Sequence, residues 1–342
     1  MISRRSFLGA CALASVAGAV QACSNKAGSA GVRNDASGHL IVLGTGGTIA
    51  CTNVDGALVP TVSGEELVAG VYDTFDKDKL SIDVRQVSQL DSSAMTLKDT
   101  DMIITEVLKA VKEDGVTGVI VTHGTDSMEE SAIAVDTFLD SDVPVVFTGS
   151  MLPFDDPKTD GPANLLLAVR TATAPENRGK GAFIAFGEKT LRARGAYKSN
   201  ANSVDGFDSN ADNELTRPAA LAYKPLEHQR VDIIAAYPGA PRALVDASLA
   251  SGAKALVIEG MGAGNVGGDI ALAISDALDK QIPVVMSTRV DAGRVEGTYG
   301  GAGGGATLAA KGVIGADILR AGQSRILLAC ALATKTDPKT LF

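Results

Sequence analysis

The chain has 342 residues, of which 45% are hydrophobic and 21% charged, and carries a formal net charge of −9. That length is enough for two domains with adequate cores. The acidic balance disfavours nucleic acid and anionic lipid surfaces as partners.

Residues 1–22 read as an export signal rather than a fold element. Ser3-Arg4-Arg5-Ser6-Phe7-Leu8-Gly9 is a twin-arginine pattern, and an alanine-rich apolar run follows it. Loss of this segment removes Arg4 and Arg5 and no acid, which takes the charge from −9 to −11. The run ends Val20-Gln21-Ala22-Cys23, similar to a lipoprotein cleavage box. Two products stay open, one lipid-anchored through Cys23 and one soluble and periplasmic, and either places the protein in the periplasm or cell envelope. Residues 23–37, rich in Ser, Gly, Ala and Asn, read as a flexible tether. No later run reaches the ~18 uninterrupted apolar residues of a membrane span.

Leu40-Ile41-Val42-Leu43 reads as a buried strand of a parallel sheet, and Gly44-Thr45-Gly46-Gly47-Thr48-Ile49-Ala50 as a tight turn after it. A dinucleotide fingerprint fails here because Ile49 stands where its third glycine would be. The turn instead delivers the Thr48 hydroxyl at a strand's carboxyl end, where ligands of open α/β sheets bind. Ile82, Val84 and Val87 alternate as a strand does, and Ile104, Val107, Leu108 and Val111 share one helical face. A second strand, Gly118–Val121, leads into the turn Thr122-His123-Gly124-Thr125-Asp126-Ser127-Met128-Glu129-Glu130. Ser127 with Glu130 is a capping-box spacing and predicts a helix to about Leu139.

Residues 143–147 and 182–186 are further apolar strands, after which residues 200–230 break the pattern. Strands near 231–236, 254–259 and 283–287 then alternate with helices near 241–251 and 269–280. The expectation is a two-domain α/β protein. Its larger N-terminal domain (38–204) is a mostly parallel sheet flanked by helices, a crossover (205–230) follows, and 231–342 form a smaller α/β domain.

Past the signal and Cys23 only Cys51 and Cys330 remain, with a disulfide or two buried thiols as the alternatives. There is no Cys-x-x-Cys, and His39, His123 and His228 lack ligand spacing, so no metal site is expected. A threonine hydroxyl needs a base to act as a nucleophile. His39 lies near the tether and His228 in the crossover, which leaves lysine as the base type, since burial can lower a lysine's pKa.

The motifs Gly44–Ala50 and His123–Glu130 resemble the two signatures of bacterial L-asparaginases, the asparaginase/glutaminase family with threonine nucleophiles. Asp91-Ser92-Ser93-Ala94-Met95, Asp160–Leu165, Arg194-Gly195-Ala196-Tyr197-Lys198, Gly262-Ala263-Gly264-Asn265 and Gly312–Gly315 extend the similarity from about residue 38 to the C-terminus. The resemblance implies Thr48 as nucleophile, Lys198 as base hydrogen-bonded to Thr125 and held by Asp126, and Thr125 as water-positioning or proton-relay group. It places Gly47, Asp91, Ser93, Gly124 and Asn265 around the substrate, with Asp126 on its ammonium and Ser92 on its α-carboxylate. It also implies a homotetramer built from dimers and no cofactor.

Three positions depart from the family pattern. The loop Asp55–Pro60 lacks the usual tyrosine, for which Tyr299 is a candidate substitute. Glu296 is the candidate for a glutamate contributed by a neighbouring subunit, and Ser93 stands where many relatives have glutamine. The expected function is an exported L-asparagine amidohydrolase. The alternatives are a glutaminase-asparaginase of broad preference and an envelope lipoprotein that binds an amino acid without turning it over.

Overall fold

The computed structural model describes residues 36–212 and 215–342; the signal, Cys23 and tether residues 23–35 lie outside them. In chain order the strands are β1 (Gly38–Gly46), β2 (Cys51–Val54), β3 (Ala57–Pro60), β4 (Leu80–Leu90), β5 (Val116–Thr122), β6 (Val145–Thr148), β7 (Ala182–Phe186), β8 (Lys189–Arg192), β9 (Ala196–Lys198), β10 (Phe207–Ser209), β11 (Val231–Ala235), β12 (Ala255–Gly260), β13 (Val284–Thr288) and β14 (Ile314–Gly315). The helices are α1 (Gly64–Tyr72), α2 (Leu97–Ala110), α3 (Met128–Phe138), α4 (Gly161–Thr173), α5 (Ala243–Ala250), α6 (Gly268–Asp279), α7 (Gly305–Ala310) and α8 (Ala321–Thr334).

The larger sheet has the order β4-β1-β5-β6-β7-β8. Its first five strands run parallel, and β8 returns antiparallel to β7. Strands β1 and β5 are central and covered on both faces, which is why they read as unbroken apolar runs. Ile41, Leu43, Val119 and Val121 point into the core shared with α2, α3 and α8, whereas Leu40, Val42 and Ile120 point towards α1 and α4. The smaller sheet, β11-β12-β13-β14, is parallel throughout and packs α5 and α6 against one face.

Helix α8 joins the two lobes. It packs on α3 from the larger lobe and on β11, β12 and β13 from the smaller one. Ile326, Leu327, Leu328 and Cys330 lie in the same core as Ile104, Phe147, Val257 and Val285. Side chains of this size contribute roughly 1.5–3 kcal/mol each when fully buried. The crossover is fastened as well: the Asp101 carboxylate on α2 accepts the N–H groups of Leu226 and Glu227 and the Tyr223 hydroxyl.

Three local features differ from the sequence reading. Asp55–Pro60 is not a plain loop, because Cys51–Val54 and Ala57–Pro60 pair as a hairpin. Asp55 and Gly56 form its two-residue turn with φ of 52° and 86°, the left-handed pair that Asp-Gly favours. Within the crossover region, β10 pairs antiparallel with β9. The expected capping box does not form: the Ser127 hydroxyl donates to the Ser92 carbonyl (2.8 Å) and Glu130 pairs with Arg325 (2.9 Å). Tertiary partners took both side chains away from the local cap. Cys51 and Cys330 are buried free thiols, the second of the two alternatives.

Candidate active site

Three loops meet at the carboxyl ends of β4, β1 and β5, which are neighbours in the sheet. At the end of β1, Gly46 (φ 109°) and Gly47 (φ 81°) turn the chain sharply. A Cβ on Gly47 would lie 2.3 Å from the Gly124 nitrogen, so the β1 and β5 turns touch through bare backbone. Thr48 opens a single 3-10 turn, Thr48–Ala50. It is half-buried, and its hydroxyl makes no hydrogen bond to any described residue. The turn is closed by the Ala50 N–H (2.9 Å) and the Cys51 thiol (3.3 Å), both donating to the Gly47 carbonyl. Burial, with the Asp91 charge adding to it, pushes the Cys51 thiol above its usual pKa and keeps it protonated.

Ser92 stitches the β4 loop to the β5 loop. Its hydroxyl oxygen accepts the Asp126 N–H at 3.1 Å, and its side chain lies against Gly124, where a Cβ would come within 2.4 Å of Ser92 Oγ. Asp91 accepts the Ser93 N–H (3.0 Å), which shapes the short turn that presents Ser92. On the other side, the Thr45 hydroxyl donates to the Thr122 carbonyl at 2.8 Å.

Lys198 arrives from β9. Its Nζ donates to Thr125 Oγ1 at 2.9 Å and to Asp126 Oδ1 at 2.7 Å. Thr125 is buried and Asp126 open to solvent, so the lysine spans from the interior of the cluster to its mouth. Gly47, Thr48, Asp91, Ser92, Ser93, Gly124, Thr125, Asp126 and Lys198 are thereby gathered in one place.

His123 is fully buried, and burial holds its imidazole at a pKa of about 4, so it is neutral at ordinary pH. Its Nδ1 lies 2.7 Å from the Gly124 carbonyl, the geometry of an Nδ1–H donor, and its ring packs near Phe147. It shapes the turn and does not touch Thr125 or Lys198. Glu129, on the first turn of α3, has its carboxyl raised to about 7, chiefly by burial and further by Glu130. The sequence reading did not single out Glu129 or Gln323, both of which hold the Lys198 segment. Glu129 lies within the second motif; nothing local marks Gln323.

Asn265, Glu296 and Tyr299 are not part of this cluster within the chain. Asn265 Oδ1 accepts the Gly305 N–H (3.1 Å), the Glu296 N–H bonds the Ala263 carbonyl, and Tyr299 is 65% exposed. All three belong to the smaller lobe. Among the described residues no group of three or more His, Cys, Asp or Glu side chains could hold a metal ion, and no helix is long and apolar enough to cross a membrane.

Residues 39–225 match the family described as "Asparaginase, N-terminal", and residues 230–341 match the "Glutaminase/Asparaginase C-terminal domain". The chain belongs to the asparaginase family. As a member it is a hydrolase of the L-asparaginase type. L-asparaginase 2 of Bacillus subtilis is 30% identical over 326 residues, covering 89% of this chain and 84% of that protein. A "Probable L-asparaginase periplasmic" of Haemophilus influenzae is 27% identical and covers 89% of this chain and 91% of its own. The crystal structure of a "Probable Cytoplasmic L-asparaginase" from Campylobacter jejuni superposes with a TM-score of 0.74 at 29% identity, over 89% of this chain and 98% of that one. This family member therefore has relatives described from both compartments.

Proposed function

We propose that the protein is an exported L-asparagine amidohydrolase that releases ammonia and L-aspartate through a β-aspartyl-threonine intermediate. The observation that carries this reading is the Lys198–Thr125–Asp126 contact set on the turn that touches Gly47, with the next residue, Thr48, offering a hydroxyl that has no hydrogen-bond partner among the described residues. A receptor for a free amino acid needs shape and charge matching, but has no use for a nucleophile facing a base.

In this reading Thr48 Oγ adds to the side-chain amide carbon, and its proton passes through Thr125 and Lys198 to the departing nitrogen. The C–N bond breaks, ammonia leaves, and an ester to Thr48 remains. Water then adds to the ester carbon, the ester bond breaks, and a proton returns to Thr48 Oγ. The 2.9 Å contact between Lys198 Nζ and Thr125 Oγ1 puts the two groups of the relay within hydrogen-bond reach of each other. Backbone N–H groups of the two glycine-rich turns would face the oxyanion. Asp126 matches the substrate ammonium and Ser92 its α-carboxylate.

Secretion by the twin-arginine route to the periplasm or cell envelope, as either a Cys23-lipidated or a soluble product, and a homotetramer complete the proposal. The domain divisions at 204/205 and 230/231 belong to it as well. The test is ammonia release from L-asparagine and L-glutamine by the protein, Thr48→Ala and Lys198→Met. Activity in the parent with loss in both variants supports the assignment, and the ratio of the two substrates separates it from a glutaminase-asparaginase. Stoichiometric asparagine binding by the parent with no ammonia would replace it with the receptor reading.

A further inference from the structure

Thr125 and Asp126 lead into α3, whereas Lys198 ends β9, and the two elements are brought together by groups outside the reacting cluster. The Glu129 carboxylate, projecting from the first turn of α3, accepts the Lys198 backbone N–H at 2.5 Å. Gln323, a buried residue of α8, accepts the Gly195 N–H at 2.9 Å and donates to the carbonyls of Ala193 (2.6 Å) and Glu129 (3.3 Å). Gln323 thereby ties the turn before β9 to the same first turn of α3.

The contact at the backbone matters because of how a lysine is built. Its flexible stem can explore many rotamers, but every one of them starts from the position of the Cα. A carboxylate on the Lys198 N–H fixes that starting point, and the contacts to Thr125 and Asp126 then select the rotamer. A displacement of about 1 Å at a reacting group can cost on the order of 100-fold in rate.

We propose that Glu129 is a positioning residue for the reaction: its carboxylate holds the Lys198 backbone so that Nζ stays within hydrogen-bond reach of Thr125, while Gln323 holds the preceding turn. This rests on the reading of Lys198 as the base. The Glu129 carboxylate bonds the Lys198 N–H and makes no hydrogen bond to Thr48, Thr125 or Asp126. It acts through Lys198 alone, and the property it supplies is an acceptor oxygen rather than a charge.

The experiment compares Glu129→Gln and Glu129→Leu in the full chain, by steady-state kinetics on L-asparagine and by crystal structures. Glu129→Leu is expected to lower kcat about 10- to 100-fold with KM nearly unchanged. Glu129→Gln, which keeps an acceptor, is expected to stay within about threefold of the parent, because one neutral hydrogen bond replaces a charge-assisted one. In the crystals, Lys198 Nζ should remain near 2.9 Å from Thr125 Oγ1 in the Gln variant and move beyond about 3.5 Å in the Leu variant. Parental kcat in the Leu variant, equal loss in both, or an unmoved Lys198 overturns the proposal. If the Leu variant does not fold, the Gln variant decides: retained kcat supports the proposal and lost kcat overturns it. If the parent itself releases no ammonia, the enzymatic reading fails, and the Lys198–Thr125 distance still judges the brace.

Discussion

Two glycine-rich stretches of this chain look alike in composition and differ in what their glycines do. In Gly44–Gly47 the absent side chains permit contact: a Cβ at Gly46 would lie 2.5 Å from the Leu90 backbone, and one at Gly47 2.3 Å from Gly124. In Gly297–Gly305 the tip is open, since a Cβ on Gly300 or Gly301 meets nothing within 4 Å, although Gly303 and Gly304 are pressed against backbone. The first stretch is a packed joint that sets the nucleophile in place. The second is anchored at its base and free at its tip, where Tyr299 sits.

Thr48→Ala should break the comparison most severely, with kcat for asparagine falling on the order of 10,000-fold and the melting temperature little changed. Gly47→Ala should lower both stability, by about 1–3 kcal/mol in denaturant titration, and activity, since the two turns must separate. Gly300→Ala should leave activity unchanged and shift stability by less than about 1 kcal/mol, because only chain entropy is involved.

A pH series sharpens the contrast from the other side of the cluster. For His123 the folded pKa is depressed to about 4 from 6.5, so its contribution is complete above pH 6.5 and is lost as pH falls towards 4. The loss amounts to roughly 3 kcal/mol at most. For Glu129 the folded pKa is raised to about 7 from 4.5, so its contribution is complete below pH 4.5 and is lost as pH rises through 7. The two slopes oppose each other between about pH 4.5 and 6.5. His123→Asn should therefore make stability rise on acidification across that window, and Glu129→Gln should make it fall more steeply. Denaturant midpoints measured at half-unit pH steps would check both, and parallel curves for parent and variants would contradict the assignment.

Much of the fold was legible because β1, β5, β6 and β7 are covered on both faces, so their residues are apolar without interruption. The nucleophile turn and the Thr125–Asp126 loop were legible because close backbone contact leaves few residue choices. The Asp55-Gly56 hairpin carried a local signal that a loop reading passed over. Ser127 does stand at the N-cap of α3, and the helix ends at Leu139 as expected, but its hydroxyl makes no cap because its acceptor, the Ser92 carbonyl, lies in another loop. Glu129 lay inside the second motif, but its role, like that of Gln323, was not legible, because the partners of both side chains are backbone groups of a turn distant in sequence.

Helix α8 follows every strand of both sheets in the chain, yet it forms part of the core of each lobe. During synthesis the larger lobe must wait, with α3 uncovered, until residues beyond 320 have emerged. Gln323, which ties the Lys198 turn to α3, arrives with that helix. The order of translation thus leaves the turn before Lys198 without its tie to α3 until α8 has emerged and packed.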